Sequence, residues 1–296
     1  MNKNFVTLKA NAKINLALGV VSKRKDDYHN LKMVMQTLLL HDSIFIKKID
    51  SSKIKINTNL PWLPTDEKNL VYKAVNVMQK KYKLSGGVYI EIVKNIPISA
   101  GLGGGSADCA ATLISLRKLY NLNISMEELR DVGRSLGADV PYLLTQGTAF
   151  VEGTGDIITK LNPHPFVYIV LAKPKFNVST EIVFKKLSKY PFIDNSKKIN
   201  AMLTAIKNKN IYEISKNFFN DLEIVTATKY PIIYDIKRIM LENGAIGSIM
   251  SGSGPTVFGY FLTKKQAFNA IKILQKKGIK DIIFTGVFDR KKLKKQ

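Results

Sequence analysis

Residues 7–21 and 44–56 alternate between apolar and polar side chains at period two, which predicts two half-buried strands early in the chain. Over 69–81 the rhythm changes. Leu70, Ala74, Val77 and Met78 recur at helical spacing, so a helix is expected there. Alternation returns over 88–98, with Val88, Ile90 and Ile92 on one side ahead of Pro97. A glycine-rich stretch follows, then a helical pattern over 106–119 built on Ala110, Leu113, Ile114 and Arg117, and another over 126–136 that Gly137 ends. In the second half, the apolar run 167–172 reads as a buried strand, and helices are expected near 181–187, 212–219 and 231–242. Residues 244–259 read as strand, turn and strand punctuated by Gly and Ser. Thr263 and Gln266 have the spacing of a capping box ahead of an apolar face of Ala267, Phe268, Ala270, Ile271 and Leu274. Gly278 closes that helix, and 281–288 forms the last strand. Strands mixed with helices, in no strict alternation, predict an α+β chain of two lobes. The expected boundary lies near Asn162-Pro-His-Pro165, giving lobes 1–160 and 161–296.

Composition narrows the class. A chain of 296 residues with 45% hydrophobic content buries a substantial core, and its single cysteine, Cys109, excludes a disulfide scaffold. The longest apolar run is strand-length, so no membrane partner is expected, and a first segment without a long apolar stretch argues for a cytoplasmic protein. The net charge of +23 raises the question of a polyanion partner. Yet 21 basic residues face 12 acidic ones up to residue 148 and 25 face 11 beyond it, so the excess is spread through both halves. Only six of the 46 basic residues are Arg, whose fork dominates phosphate recognition. The charge therefore reads as a lysine-rich background, with no nucleic acid partner expected. The one dense cluster is the tail 290–296.

Five segments can carry chemistry. From Pro97 onward the chain runs Ile-Ser-Ala-Gly101-Leu102-Gly103-Gly104-Gly105-Ser106-Ala107. Glycines let the backbone bend and bring several N–H groups against an anion, and Ser106 can cap the helix behind them. A flexible capped turn is the plain alternative to a phosphate site. The Walker spacing and the dinucleotide fingerprint are both absent. In Gly137-Ala-Asp139-Val-Pro141 the aspartate is either a helix cap or the carboxylate that a phosphoryl-transfer enzyme needs to accept a hydroxyl proton. Lys13 and Asn15 point to one face of an otherwise apolar strand, either an exposed edge or a site-facing lysine paired with a carboxylate. Tyr28-His29 suits a surface turn or the stacking and edge recognition of a nucleobase. The run Ser251-Gly-Ser-Gly-Pro-Thr256 is by itself a hairpin turn. No His/Cys cluster points to a resident metal.

In order along the chain, the Lys-Ile-Asn-Leu stretch from Lys13, the triple-glycine loop and the Gly-Ser-Gly-Pro-Thr run resemble the GHMP kinase superfamily. Residues 12–16, 27–31, 103–108 and 137–141 mark a narrower branch, acting on a cytidyl diphospho-methylerythritol in non-mevalonate isoprenoid precursor synthesis. The resemblance covers nearly the whole chain. It implies a lobe resembling ribosomal protein S5 domain 2, a ferredoxin-like second lobe, and ATP with Mg2+ as the phosphoryl source. By the same resemblance Asp139 is the general base and Lys13 its electrostatic partner, while Pro97, Gly101 to Gly105, Ser106 and Ala107 wrap the phosphates. Asn69 and Lys94 match positions near the adenine. Tyr28 and Phe184 match a cytosine sandwich, His29 an edge contact, and Asn15 and Thr180 substrate contacts. Two residues depart from the family pattern: Asp27 stands where Gly is usual, and Ala107 where Ser is common. The alternatives are a related kinase acting on homoserine or mevalonate, and a basic RNA-binding protein without turnover.

Overall fold

The computed structural model describes residues 4–288, so the basic tail 290–296 lies outside the described residues. Among those described, no helix is long and apolar enough to cross a membrane. The chain forms two compact units. One holds the start of the chain up to Ala12 with Leu40–Ile98 and Gly103–Thr145, and the other holds Lys13–Leu39, Ser99–Leu102 and the chain from Gln146. The single boundary expected near residue 160 is thus replaced by several crossings. The reason is strand length: β1 (Phe5–Lys23) and β2 (His29–Ile49) are 19 and 21 residues long, and each contributes to both units.

In the first unit, β3 (Ile54–Thr58) follows β2 in the chain, and α1 (Leu70–Tyr82) precedes β4 (Gly87–Val93), which lies between β3 and β2 in the sheet. β4 pairs antiparallel with β2, setting Ile44 opposite Ile92, and parallel with β3, setting Ile56 opposite Ile90. The strand expected over 44–56 is therefore the end of β2 plus β3, with a turn between. The start of β2 escaped notice because Met33–Leu38 are buried without interruption, leaving no alternation to read. The buried stripe of α1 is Val71, Ala74, Val75 and Met78, one position round from the expected Leu70 and Val77. α2 (Gly104–Leu119) packs on α1 and is buried almost all round, and α3 (Met126–Arg134) and α4 (Val140–Thr145) complete the unit. α3 and α4 approach closely at Gly133, where a Cβ would lie 2.8 Å from Val140 Cγ1.

In the second unit, β5 (Thr148–Gly153) pairs with the start of β2, Val151 opposite Met33, and with β6 (Ile157–Lys160). After β7 (Tyr168–Lys173) come α5 (Thr180–Leu187), α6 (Ser196–Lys207) and α7 (Ile211–Lys216), then the short β8 (Phe219–Asn220), which lies parallel to β1 at Ala17. α8 (Glu223–Lys229) and α9 (Ile232–Glu242) lead to β9 (Gly247–Met250), β10 (Val257–Phe261), α10 (Lys264–Lys276) and β11 (Asp281–Gly286). A four-stranded antiparallel sheet forms in the order β11-β7-β10-β9. Its core joins Val170, Ala172, Val257 and Phe261 to Ile233, Ile236 and Met240 of α9 and Ala267, Ala270 and Leu274 of α10. Thr263 caps α10 by accepting the Gln266 N–H at 3.3 Å, but Gln266 takes the Thr263 hydroxyl at 2.8 Å instead of its backbone N–H, so half the expected box forms. Phe268, expected in the core stripe, is 47% exposed and stacks on Phe284 at 4.9 Å.

Candidate active site

In the first unit the glycine-rich turn opens α2. Gly103 occupies the N-cap with φ 72 and makes no side-chain cap bond, and the first intrahelical bond is Ala107 N–H to the Gly103 carbonyl at 2.8 Å. The N–H groups of Gly104, Gly105 and Ser106 precede that bond, so they have no partner within the helix. Ser106, expected as the cap, is instead the third helical residue, because the helix starts as soon as left-handed Gly103 has turned the chain. The arrangement presents N–H groups and the positive end of a 16-residue helix to an anion. Ala107 is buried, and Gly105 faces solvent.

Asn69 caps α1, accepting the Val71 N–H at 2.9 Å and donating to the Pro64 carbonyl at 2.7 Å. Lys94, just after β4, is buried, and its ammonium pairs with Asp42 and, at 2.6 Å, with Asp108. That ammonium is spent inside the protein on two carboxylates. Asp139 leads into α4, with its carbonyl accepting from Leu143 N at 3.0 Å, the main-chain geometry of a helix cap. Beside Asp108, Cys109 is fully buried, and burial pushes its thiol well above the ordinary range.

The second unit gathers another set. Lys13 and Asn15 share one face of β1 as the period required, and Lys13 Nζ donates to Asn15 Oδ1 at 2.8 Å in a buried setting. The Leu102 carbonyl accepts the Lys13 N–H at 3.0 Å, and the Gly101 carbonyl accepts the Ser251 hydroxyl at 3.0 Å. Gly101, with φ 74, is a place where only glycine fits: a Cβ would run into the Ser251 carbonyl oxygen. The Gly-Ser loop is thereby a partner of both the glycine-rich segment and β1, more than a hairpin turn. Thr180 at the start of α5 reaches the Ser253 hydroxyl at 2.8 Å.

Three residues that no local signal marked hold this loop. Asn220 donates to the Met250 and Gly252 carbonyls, both at 2.8 Å, Thr226 to the Ser253 carbonyl at 3.1 Å, and Glu223 accepts the Met250 N–H at 2.9 Å. Asn220 ends β8 and the other two lie in α8, and their partners are about thirty residues away, so spacing could not find them.

Asp27 has φ 63, which explains why glycine suits that position and why Asp, tolerant of the left-handed region, can replace it. Tyr28 is 63% exposed. His29 is buried, with Nε2 lacking a hydrogen-bond partner, and burial together with the Lys23 charge lowers its pKa, so it is a neutral imidazole near pH 7. Phe184 stacks on His29 with ring centroids 4.9 Å apart. Phe184 thus covers the His29 ring.

Comparison with known proteins adds a second line. Residues 69–147 match the model of the GHMP kinases N terminal domain and residues 202–280 that of the GHMP kinases C terminal domain. The chain is 44% identical over 280 residues to 4-diphosphocytidyl-2-C-methyl-D-erythritol kinase of Lachnospira eligens, covering 95% of this chain and 97% of that one. It is 48% identical over 258 residues to the protein of the same name from Clostridium botulinum, covering 86% and 91%. Among solved structures, a 4-(cytidine 5'-diphospho)-2C-methyl-D-erythritol kinase aligns with a TM-score of 0.80 at 28% identity, covering 96% of this chain and all of that one. A homoserine kinase from Cytophaga hutchinsonii aligns at 0.79 with 19% identity, covering 97% and 96%, a likeness of fold alone.

Proposed function

This chain belongs to the GHMP kinase family, and from that we infer that it transfers the γ-phosphoryl group of ATP to the 2-hydroxyl of 4-diphosphocytidyl-2-C-methyl-D-erythritol, yielding ADP and the 2-phosphate. The observation that carries this reading is 44–48% identity running through most of both chains. The step belongs to non-mevalonate isoprenoid precursor synthesis.

In this reading the phosphates lie against the N–H groups that open α2, supported by Pro97, Gly101 to Gly105, Ser106 and Ala107, with Asn69 and Lys94 at the nucleotide side. Fixed N–H dipoles there stabilise charge as it moves among the phosphate oxygens, without solvent reorganisation. Asp139 takes the hydroxyl proton as the new P–O bond forms, a role typically worth about 10²–10⁴-fold. The Lys13 charge offsets the alkoxide that develops on the acceptor. Among the described residues no three His, Cys, Asp or Glu side chains gather as a metal site. A Mg2+ ion carried by the nucleotide needs only one or two protein oxygens, and it neutralises phosphate charge when bound. On the acceptor side, Asn15 and Thr180 hold the polyol, and His29 offers its unpaired Nε2 to the cytosine edge. Tyr28 and Phe184 supply stacking surface. A base edge is a demanding recognition element, because an analogue lacking it leaves a buried polar atom unpaired.

The test is ADP release with Mg·ATP and, in turn, the cytidyl substrate, homoserine, mevalonate and galactose. Turnover is expected with the cytidyl substrate alone. Asp139→Asn should lose about 10²–10⁴-fold in kcat, and Tyr28→Ala should raise the KM of the cytidyl substrate while leaving that of ATP in place. Turnover with another acceptor would keep the family and discard the cytidine pocket.

A further inference from the structure

A triad of buried charges lies beneath the glycine-rich turn; of its three members only Lys94 has been set at the nucleotide side, and what its two aspartates do there has not been accounted for. Lys94 follows β4, Asp42 lies on β2, and Asp108 lies in the second turn of α2. Their side chains are 3%, 0% and 5% exposed. Lys94 Nζ pairs with Asp42 Oδ2 and Asp108 Oδ2. The other Asp42 oxygen accepts the N–H groups of Asn95 at 2.5 Å and Ile96 at 2.8 Å, so Asp42 is tied to the backbone that leads into the loop. The Lys94 backbone is fixed as well: its N–H donates to Asn59 Oδ1 at 2.8 Å, and its carbonyl accepts from Asn59 Nδ2 at 3.2 Å. Asp108 Oδ1 is buried without a hydrogen-bond partner.

Charge balance and geometry then point the same way. Burial, reinforced by Asp42, pushes the Asp108 carboxyl above its ordinary range against the pull of Lys94. Burial alone would lower the Lys94 ammonium, but the charges of Asp108 and Asp42 outweigh it and raise its pKa. A Cβ on Gly104 would stand 3.4 Å from Lys94 Nζ and 3.1 Å from Ile96 Cγ2, so the first residue of α2 rests on the ammonium. Buried ion clusters add little stability over apolar side chains of equal volume, so stability is a weak reason for three charges here. Position is a better one.

We propose that Lys94 is a positioning residue for the nucleotide: clamped between Asp42 and Asp108, it fixes the height of the first turn of α2 and thereby sets affinity for ATP without affecting binding of the phosphoryl acceptor. This rests on the reading that the N–H groups of that turn receive the ATP phosphates. Lys94 acts through Gly104 and need not touch the nucleotide.

Three variants test it: Lys94→Met, Asp108→Asn, and a triple variant combining Lys94→Met, Asp42→Asn and Asp108→Asn, which removes every charge of the cluster together. Circular dichroism establishes folding. The readouts are the thermal shift produced by ADP, and KM for ATP and for the cytidyl substrate measured separately. Lys94→Met and the triple variant are expected to raise the KM of ATP about tenfold or more and to lose most of the ADP shift, with the acceptor KM within about twofold. Asp108→Asn should show a smaller rise in the same direction. If Lys94→Met does not fold, the triple variant decides. A folded triple variant that binds ADP as the wild type does overturns the proposal, as does a parallel rise in both KM values or a fall in kcat alone. Should the wild type fail to use the cytidyl acceptor, the functional reading falls, while the ADP shift still reports on Lys94. Absence of an ADP shift in the wild type overturns both.

Discussion

His164 is buried with Nδ1 2.6 Å from the Pro165 carbonyl and Nε2 3.3 Å from the Tyr260 hydroxyl. A carbonyl only accepts, so Nδ1 carries the proton and Nε2 accepts from Tyr260, leaving no position for a second proton. Burial pushes its pKa down to about 4 from 6.5, against the Pro165 bond, which favours the charged form. The folded state therefore binds fewer protons than the unfolded chain between those values. The stability it contributes is present above pH 6.5 and is lost as pH falls toward 4, a loss of about 3 kcal/mol. Urea midpoints measured from pH 7.5 to 4.5 should fall steeply in the wild type and less in His164→Gln, and parallel slopes would rule this out. At the same scale, the shared face of Lys13 and Asn15 was legible, because residues two apart on a strand point the same way, but not that Lys13 pairs with the Asn15 amide. The pairing of Lys94 with Asp42 was not. Fifty-two residues separate them, and neither lies in a pattern that depends on the other.

At the scale of elements, the glycine-rich segment shows how conformation and close approach act separately. Gly101 and Gly278 both have positive φ, 74 and 84, but a Cβ at Gly278 meets nothing within 4 Å whereas one at Gly101 meets two backbone oxygens of the Gly-Ser loop. Gly278→Ala should therefore cost only the left-handed penalty, about 1–2 kcal/mol. Gly101→Ala should cost clearly more, since backbone cannot step aside as a flexible side chain can, and it should impair turnover too. Equal destabilisation in chemical denaturation would show that the contact with Ser251 is unimportant. Helix ends were largely readable here: Asn69, Ser125 and Thr263 each cap a helix that begins at the next residue. The start of α2 was misplaced because a glycine cap has no side chain to announce it. The first half of β2 was lost for the opposite reason, burial on both faces.

For the molecule as a whole, the net charge of +23 remains the feature most easily mistaken for function. A diffuse lysine surface attracts polyanions weakly and loses them in salt. At physiological salt, binding of a single-stranded RNA should be no tighter than about 10⁻⁴–10⁻⁶ M, the non-specific range, and RNA should not inhibit phosphoryl transfer. Submicromolar binding in a filter or polarisation assay would assign the lysines a partner. The sequence by itself determined what depends on neighbours along the chain: the alternation of β1, the helix caps, the glycine-rich bend, and the order of motifs that mark the family. Only the tertiary structure decided what depends on burial and on distant partners. It folded β1 and β2 through both units, set Phe184 on His29, bound the Gly-Ser loop with Asn220, Glu223 and Thr226, and enclosed Lys94 between two aspartates. Local periodicity reports a residue's own backbone and the face it shares with near neighbours. The energy of a buried charge or a distant hydrogen bond depends on which other segment packing brings to it, and that leaves no trace in spacing.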